Sequence, residues 1–153
     1  MATRFFPIYN IDQPVGPGKA NRADDVRLIQ AIFIELARYS STDWLKDIPQ
    51  EQRGLATTGS FDNRLHLWIT TLQNWAVGGY GKGHFKADGI IDPLPHTSSV
   101  SLGTDFKSGR TSTLAFMCAQ LWRYNQTAYM RIGDDYKVPW FPPAWDPKDV
   151  RTG

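Results

Sequence analysis

One amphipathic stripe constrains the fold of this chain more than any other feature. Between residues 65 and 76, apolar side chains recur with the period of a helix and keep to one helix face. These side chains are Leu65, Trp68, Ile69, Leu72, Trp75 and Ala76. A helix with one apolar face must bury that face against other elements, so the stripe predicts a helical core. Ser60 or Asp62 can cap the helix, and Gly78 and Gly79 are expected to end it.

Two further helices are predicted, one on each side of this stripe. The first spans about residues 23–38, with Asn21 as its N-cap and an apolar face that includes Val26 and Phe33. Early acidic residues suit the positive end of its dipole. The third helix is expected from about Thr111 to Tyr129. The chain of 153 residues is therefore expected to be a single, mainly α domain.

The connecting segments are expected to be loops. Residues 1–20 are rich in proline and glycine, which favours extended or looped backbone. Residues 40–58 are polar and irregular, with a short helical turn expected from Trp44 to Ile48. Residues 80–110 are predicted to be mostly loop, in which Ile90-Ile91 either forms one short strand or plugs the core.

The C-terminal segment, residues 134–153, combines prolines with aromatic side chains. It holds four prolines, with Trp140, Phe141 and Trp145 among them. Two interpretations stay open. The segment either wraps its own bundle and buries these tryptophans, or it presents them as anchors to a protein partner.

Composition and charge exclude several classes of function. Lys and Arg number 17 against 15 Asp and Glu, and they are spread along the chain. Nucleic-acid binding usually needs a clustered basic face, and this charge distribution gives no support for one. No stretch has the roughly 18 consecutive apolar residues of a transmembrane helix. The N-terminal residues 1–10 lack the apolar h-region of a signal peptide, so we expect a cytoplasmic location unless a dedicated machine exports the protein.

The residues that usually carry metal or thiol chemistry lack the necessary spacing. His66, His84 and His96 form no ligand cluster, and His66 is expected on the polar side of the second helix, so neither a metal nor another cofactor is predicted. Cys118 is the one cysteine, and its apolar helical context predicts a buried, inert thiol.

No catalytic constellation is predicted either. The chain has two glutamates, Glu35 and Glu51, and Glu35 is expected to be a solvated flank of the first helix. Acid catalysis on a glycan needs two carboxylates set several ångströms apart. The glycine-rich run at residues 78–83 lacks the Ser or Thr that follows the lysine of a phosphate loop. A non-enzymatic role is therefore expected.

Four short motifs share an order with a known family. Residues 25–30 read DVRLIQ, residues 59–62 read GSFD, the second helix contains Leu72-Gln73, and residues 88–93 read DGIIDP. Residues 15–95 thereby resemble the peptidoglycan-binding domain of the three-helix type. Asp62 and Asp92 stand where the family has glycine, and the insertion at residues 40–58 is long. Independently of the family, Gln30 and Gln73 can bond loop backbone and hold the turns.

The resemblance implies both a fold and a function. The fold would be a three-helix bundle with long loops and an extended C-terminal tail. The function would be non-catalytic binding of peptidoglycan or a cell-wall fragment, with Arg64, Tyr80, His84 and Asp88 as ligand contacts. The alternative is a structural or adaptor protein that uses the same fold for protein contacts. A component or cargo of a phage tail or contractile secretion machine, delivered to the periplasm or part of a virion, would reconcile the two.

Overall fold

The computed structural model describes residues 5–7, 9, 11–39, 43–80, 87–93, 99–101 and 113–138. Its α-helices are α1 (Ala23–Tyr39), α2 (Asn63–Tyr80), α3 (Thr113–Tyr124), α4 (Gln126–Met130) and α5 (Ile132–Tyr136). Two 3₁₀ helices, Asp43–Asp47 and Gln50–Gln52, lie between α1 and α2. Strand β1 (Phe5–Pro7) pairs antiparallel with β2 (Ser99–Ser101). The described part is mainly helical, which confirms the expected α class.

The core forms around α1, whose apolar face packs against α3, α4 and α5. On the side toward α2, the rings of Phe33, Trp44 and Trp68 meet edge to face, with centroids 5.6–5.9 Å apart. Such pairs add to the stabilisation from burial alone. Trp44 and Ile48 are buried, so the predicted helical turn in the 40–58 segment is confirmed and fastens that segment to the core.

The start of α1 differs from the prediction at Asn21. Asn21 has a left-handed backbone (φ 48°), and its side chain accepts from Gly16 N–H at 2.8 Å and donates to Gly16 O at 2.9 Å. The prediction that Asn21 caps α1 is therefore wrong. Asn tolerates positive φ, and here its amide closes the preceding loop. Asp25 in the first turn is buried and accepts from Asp12 and Gln13 N–H.

The sequence predicts the start of α2 correctly but not its end. Asp62 Oδ1 accepts from Leu65 N–H at 2.9 Å, which confirms Asp62 as the cap. The predicted stop at Gly78-Gly79 is wrong, because α2 continues to Tyr80. A glycine inside a helix costs only about 1 kcal/mol relative to alanine, which does not by itself end a helix.

The third predicted helix is interrupted. It begins at Thr113, and α3 ends at Tyr124. Asn125 then takes an extended backbone (φ −158°), and its side chain accepts from Ala128 N–H at 2.9 Å as the cap of α4. Asparagine prefers this capping role to a helix interior, so one predicted helix becomes two.

At the Ile90-Ile91 segment the core-filling alternative is confirmed, and a single backbone bridge forms in place of the strand. Val15 and Ile91 exchange backbone hydrogen bonds of 3.0 and 2.8 Å, which form an isolated bridge. Ile91 is also fully buried.

Among the described residues, no helix has the length and apolar character needed to span a bilayer.

Candidate functional site

The turn that carries Asp88 is fixed by the side chain of Gln73. Gly89 N–H donates to Gln73 Oε1 at 2.7 Å, and Gln73 Nε2 donates to Ile90 O and to Thr113 Oγ1, both at 3.0 Å. Gly89 has φ 75°, a conformation that glycine adopts without steric cost. The buried glutamine amide thus ties the turn to α2 and to the start of α3.

Gln30 holds a second turn in the same way. Gly59 N–H donates to Gln30 Oε1 at 3.0 Å, while Gln30 Nε2 donates to Thr58 Oγ1 at 3.0 Å and to Ser60 O at 3.5 Å. Gly59 has φ 77°. The prediction that both glutamines bond loop backbone is confirmed. Each amide pairs with a glycine N–H and with the carbonyl of the next residue.

The two turns also rest on equivalent helix positions. A Cβ at Gly59 would lie 3.3 Å from Ala23 O and 3.2 Å from Arg27 Cγ. A Cβ at Gly89 would lie 2.8 Å from His66 Nε2 and 3.4 Å from Thr70 Cγ2. In each unit, the two helix residues lie seven and three positions before the glutamine.

The equivalence defines an internal repeat. The first unit comprises α1 and the Gly59 turn, and the second comprises α2 and the Gly89 turn. The sequence carries a signal of this repeat, because the turn sequences GSFD (59–62) and GIID (89–92) align with glycine first and aspartate fourth.

A small polar and aromatic face surrounds the Gly89 turn. The rings of Phe61 and His66 lie 5.9 Å apart, and both side chains are half-buried. Asp88 is exposed, and its Oδ1 accepts from Ile90 N–H at 3.0 Å. We call Phe61, His66 and Asp88 the His66 face. It offers ring surface beside a hydrogen-bond acceptor.

Arg64 lies on the other side of α2. Its Nη1 donates to Gly54 O at 2.6 Å and its Nε to Gln52 Oε1 at 3.4 Å. Positions 64 and 66 are separated by about 200° around a helix. Since Gly89 packs on His66, the structure does not bring Arg64 and Asp88 to one surface. Arg64 instead holds the 52–54 loop.

The other two expected ligand contacts cannot be placed on this face. Tyr80 is the last residue of α2, and its side chain is outside the described part of the structure. His84 and His96 also lie outside the described residues, as do Trp140, Phe141 and Trp145. Asp88 is therefore the one expected contact that the described structure places beside the Gly89 turn.

Glu35 has a structural role that the sequence did not predict. The expectation of a solvated flank is wrong, because Glu35 is only 5% exposed and accepts a hydrogen bond from the Tyr136 hydroxyl. Arg38 Nη1 lies 3.6 Å from the same carboxylate oxygen. Burial, and then this hydrogen bond, raises the pKa of Tyr136, so the hydroxyl remains a donor at neutral pH. Glu35 joins α5 to α1.

Cys118 is fully buried, as predicted. Burial raises the pKa of its thiol to about 12, so it carries almost no thiolate at neutral pH. Within the described residues, no three His, Cys, Asp or Glu side chains are grouped so that they could hold a metal ion.

Comparison of the chain with protein-family models, curated proteins and solved structures finds no match. Function is consequently inferred from the geometry of the chain's own residues. The His66 face combines aromatic rings with a hydrogen-bond acceptor at the surface, and the Gln73–Gly89 contact holds its turn in place.

Proposed function

We propose that the chain is a non-catalytic module that binds peptidoglycan or a related cell-wall fragment on a three-helix bundle. The observation that supports this most is the Gln73–Gly89 contact. It sets the Asp88–Asp92 turn against α2 at the motif positions on which the family resemblance rests. A turn that is already fixed in the free protein loses less backbone conformational entropy on binding.

The His66 face has the chemistry for a sugar. Aromatic rings offer flat apolar surface to the C–H face of a pyranose, and Asp88 can accept hydrogen bonds from hydroxyl groups. The proposal therefore keeps Asp88 from the expected contacts and adds Phe61 and His66. It leaves out Arg64, whose guanidinium is held by Gly54 and Gln52 on the far side of α2.

Retention on purified, insoluble peptidoglycan sacculi tests the proposal. Phe61→Leu removes the ring but keeps apolar packing, and Asp88→Asn removes the charge but keeps an acceptor for Ile90 N–H. We expect each change to weaken retention by about twofold to tenfold, the range for loss of one aromatic or polar contact.

A matched control is available on the opposite side of α2. Asp47 is exposed, and its 3₁₀ helix contacts α2 through Trp44 and Trp68. Asp47→Asn changes the same charge as Asp88→Asn and should bind like the wild type. If the wild type is retained no better than an unrelated protein of similar size, the binding proposal is wrong.

The rival function is a structural or adaptor protein. The observation that favours it is the separation of Arg64 from Asp88, which removes the one cation from the expected ligand site. Absence of retention on sacculi, together with capture of a defined partner that Phe61→Leu abolishes, would support the rival.

A further inference from the structure

A short segment in the C-terminal part of the chain is held against α1 by hydrogen bonds to Arg27 and Glu35. We call residues 132–138, which comprise α5 and the two residues after it, the strap. Arg27 Nη2 donates to Tyr136 O at 3.1 Å and to Lys137 O at 2.9 Å. Glu35 accepts from the Tyr136 hydroxyl. A five-residue helix is not stable alone, so the strap depends on such contacts.

The same arginine lies against the Gly59 turn. A Cβ at Gly59 would be 3.2 Å from Arg27 Cγ and 3.3 Å from Arg27 Cδ. The aliphatic stem therefore covers the glycine, while the guanidinium reaches the carbonyls at the end of α5. Arginine suits both tasks because its stem packs as an apolar chain and its planar head donates several hydrogen bonds.

The Gly59 turn leads directly to the His66 face. Phe61 follows Gly59 by two residues and packs against His66, and Asp62 then caps α2. A change in the Gly59 turn would consequently reposition Phe61. Arg27 is thus the contact between the strap at one end and the turn that carries Phe61 at the other.

Comparison of the two repeat units shows that the contact made by Arg27 is present in the first unit and has no equivalent at Thr70 in the second. Thr70 occupies in the second unit the position that Arg27 occupies in the first, and its hydroxyl donates to His66 O and Leu67 O within its own helix. The Gly89 turn therefore needs no such arginine. The long side chain at position 27 serves a contact that is particular to the first unit.

We propose that Arg27 couples docking of the strap to the geometry of the Gly59 turn, and through Phe61 to the His66 face. The last step, an effect on ligand binding, rests on the proposed function. The first step concerns the free protein alone. It means that undocking of the strap from α1 changes the Gly59 turn.

Amide hydrogen exchange in the ligand-free protein tests the coupling. Gly59 N–H reports the turn, because it is bonded to Gln30, and Val138 N–H reports the strap, because it donates to Gly133 O at 3.2 Å. The rate at Ile69, a buried position in the middle of α2, reports global unfolding. An effect is counted only where it exceeds the change at Ile69.

Two variants loosen the strap from different ends. Arg27→Met keeps an apolar stem over Gly59 and removes the donor. Tyr136→Phe removes the hydrogen bond to Glu35 without changing the side chain at position 27. We expect each to speed exchange at both Gly59 and Val138 by about threefold to tenfold, the factor for one hydrogen bond. Arg53→Met is the matched control, since it removes a guanidinium contact to Ile48 O and should leave both amides unchanged.

Tyr136→Phe decides the outcome. If it speeds exchange at Val138 but leaves Gly59 at the wild-type rate, the coupling is overturned. The same holds if no change at either amide exceeds that at Ile69. Retention of wild type and Tyr136→Phe on sacculi is measured separately, so failure of the wild type to bind would refute the proposed function and leave the exchange result standing.

Discussion

Tyr9 donates two hydrogen bonds to Tyr129, one from its backbone and one from its side chain. Tyr9 N–H donates to the Tyr129 hydroxyl at 3.3 Å, and the Tyr9 hydroxyl donates to Tyr129 O at 2.9 Å. Their rings meet edge to face at 5.1 Å, and both are fully buried. Gly133 N–H also donates to the Tyr9 hydroxyl at 3.2 Å. A residue near the N-terminus therefore joins α4 and α5 to the core.

This pair predicts a loss of stability at alkaline pH. Burial raises the pKa of Tyr9, Tyr129 and Tyr136 above the ordinary value. In the unfolded chain these hydroxyls ionise near pH 10, whereas the folded protein keeps them protonated. Their contribution is therefore complete below about pH 10 and decreases as the pH rises above it. Urea unfolding between about pH 8 and 11 should show the unfolding free energy falling.

Replacing one tyrosine separates this effect from other alkaline changes. Tyr9→Phe leaves Gly133 N–H without its acceptor and should lower the unfolding free energy at pH 7 by about 1–3 kcal/mol. Above pH 10 its curve should fall less steeply than the wild type. Tyr124→Phe alters an exposed ring and should follow the wild type. Equal slopes for wild type and Tyr9→Phe would contradict the explanation.

The Gln73 contact predicts a large effect from a nearly isosteric change. Gln73→Leu keeps the volume but leaves Gly89 N–H and Ile90 O unpaired in a buried position. We expect a loss of about 2–4 kcal/mol in unfolding free energy, measured with urea, because each unpaired buried group costs about 1–3 kcal/mol. Asn74 is the next residue and is exposed, so Asn74→Leu should change the unfolding free energy by less than about 1 kcal/mol.

Glycine at position 89 is predicted to be required for two reasons. Gly89→Ala places a side chain at φ 75° and a Cβ 2.8 Å from His66 Nε2. The backbone conformation costs about 1–2 kcal/mol, and displacement of the imidazole adds to it. Gly18→Ala meets the same backbone penalty at φ 71° with no atom within 4 Å, so it should cost less. In a His66→Ala background, the difference between the two substitutions should shrink.

Local patterns were sufficient for some elements of this fold. The apolar periodicity located α1 and α2, and Asp62 was one of the two candidate caps, with Ser60, that precede the stripe. The glutamine contacts were also foreseen, because an amide at the end of an apolar stripe must find polar partners when it is buried. Each of these signals lies within a few residues of the element that it describes.

The missed features depend on contacts between distant residues. Glu35 reads as a solvated helix residue until Tyr136, 101 positions away, covers it. Nothing near Glu35 in sequence announces that contact. For the candidate site, the sequence placed Asp88 at a turn but could not place Arg64, whose side of α2 is decided by where the 52–54 loop packs. Helix periodicity gives relative angles between residues and leaves the neighbours of each face undetermined.

The thiol of Cys118 is predicted to resist modification in the folded protein. It is fully buried, and burial raises its pKa to about 12. Because the thiolate is the nucleophile, iodoacetamide at about pH 8 should leave the native protein unmodified and label it after denaturation in guanidinium. Mass spectrometry of the intact chain measures the label. Rapid labelling of the native protein would show that α3 opens readily around Cys118.

Lys137 and Asn21 both have positive φ, but glycine is expected to have opposite effects on stability at the two positions. Lys137, at φ 54°, follows the end of α5, and Val138 N–H donates back to Gly133 O. Since glycine is favoured at this position after a helix, Lys137→Gly should raise the unfolding free energy by up to about 1 kcal/mol. Asn21→Gly, at φ 48°, should instead lower it by about 1–3 kcal/mol, because it removes the amide that bonds Gly16 N–H and O. Urea unfolding of both variants at pH 7 measures the two changes. Destabilisation by Lys137→Gly would mean that the lysine side chain makes a contact that outweighs its backbone strain.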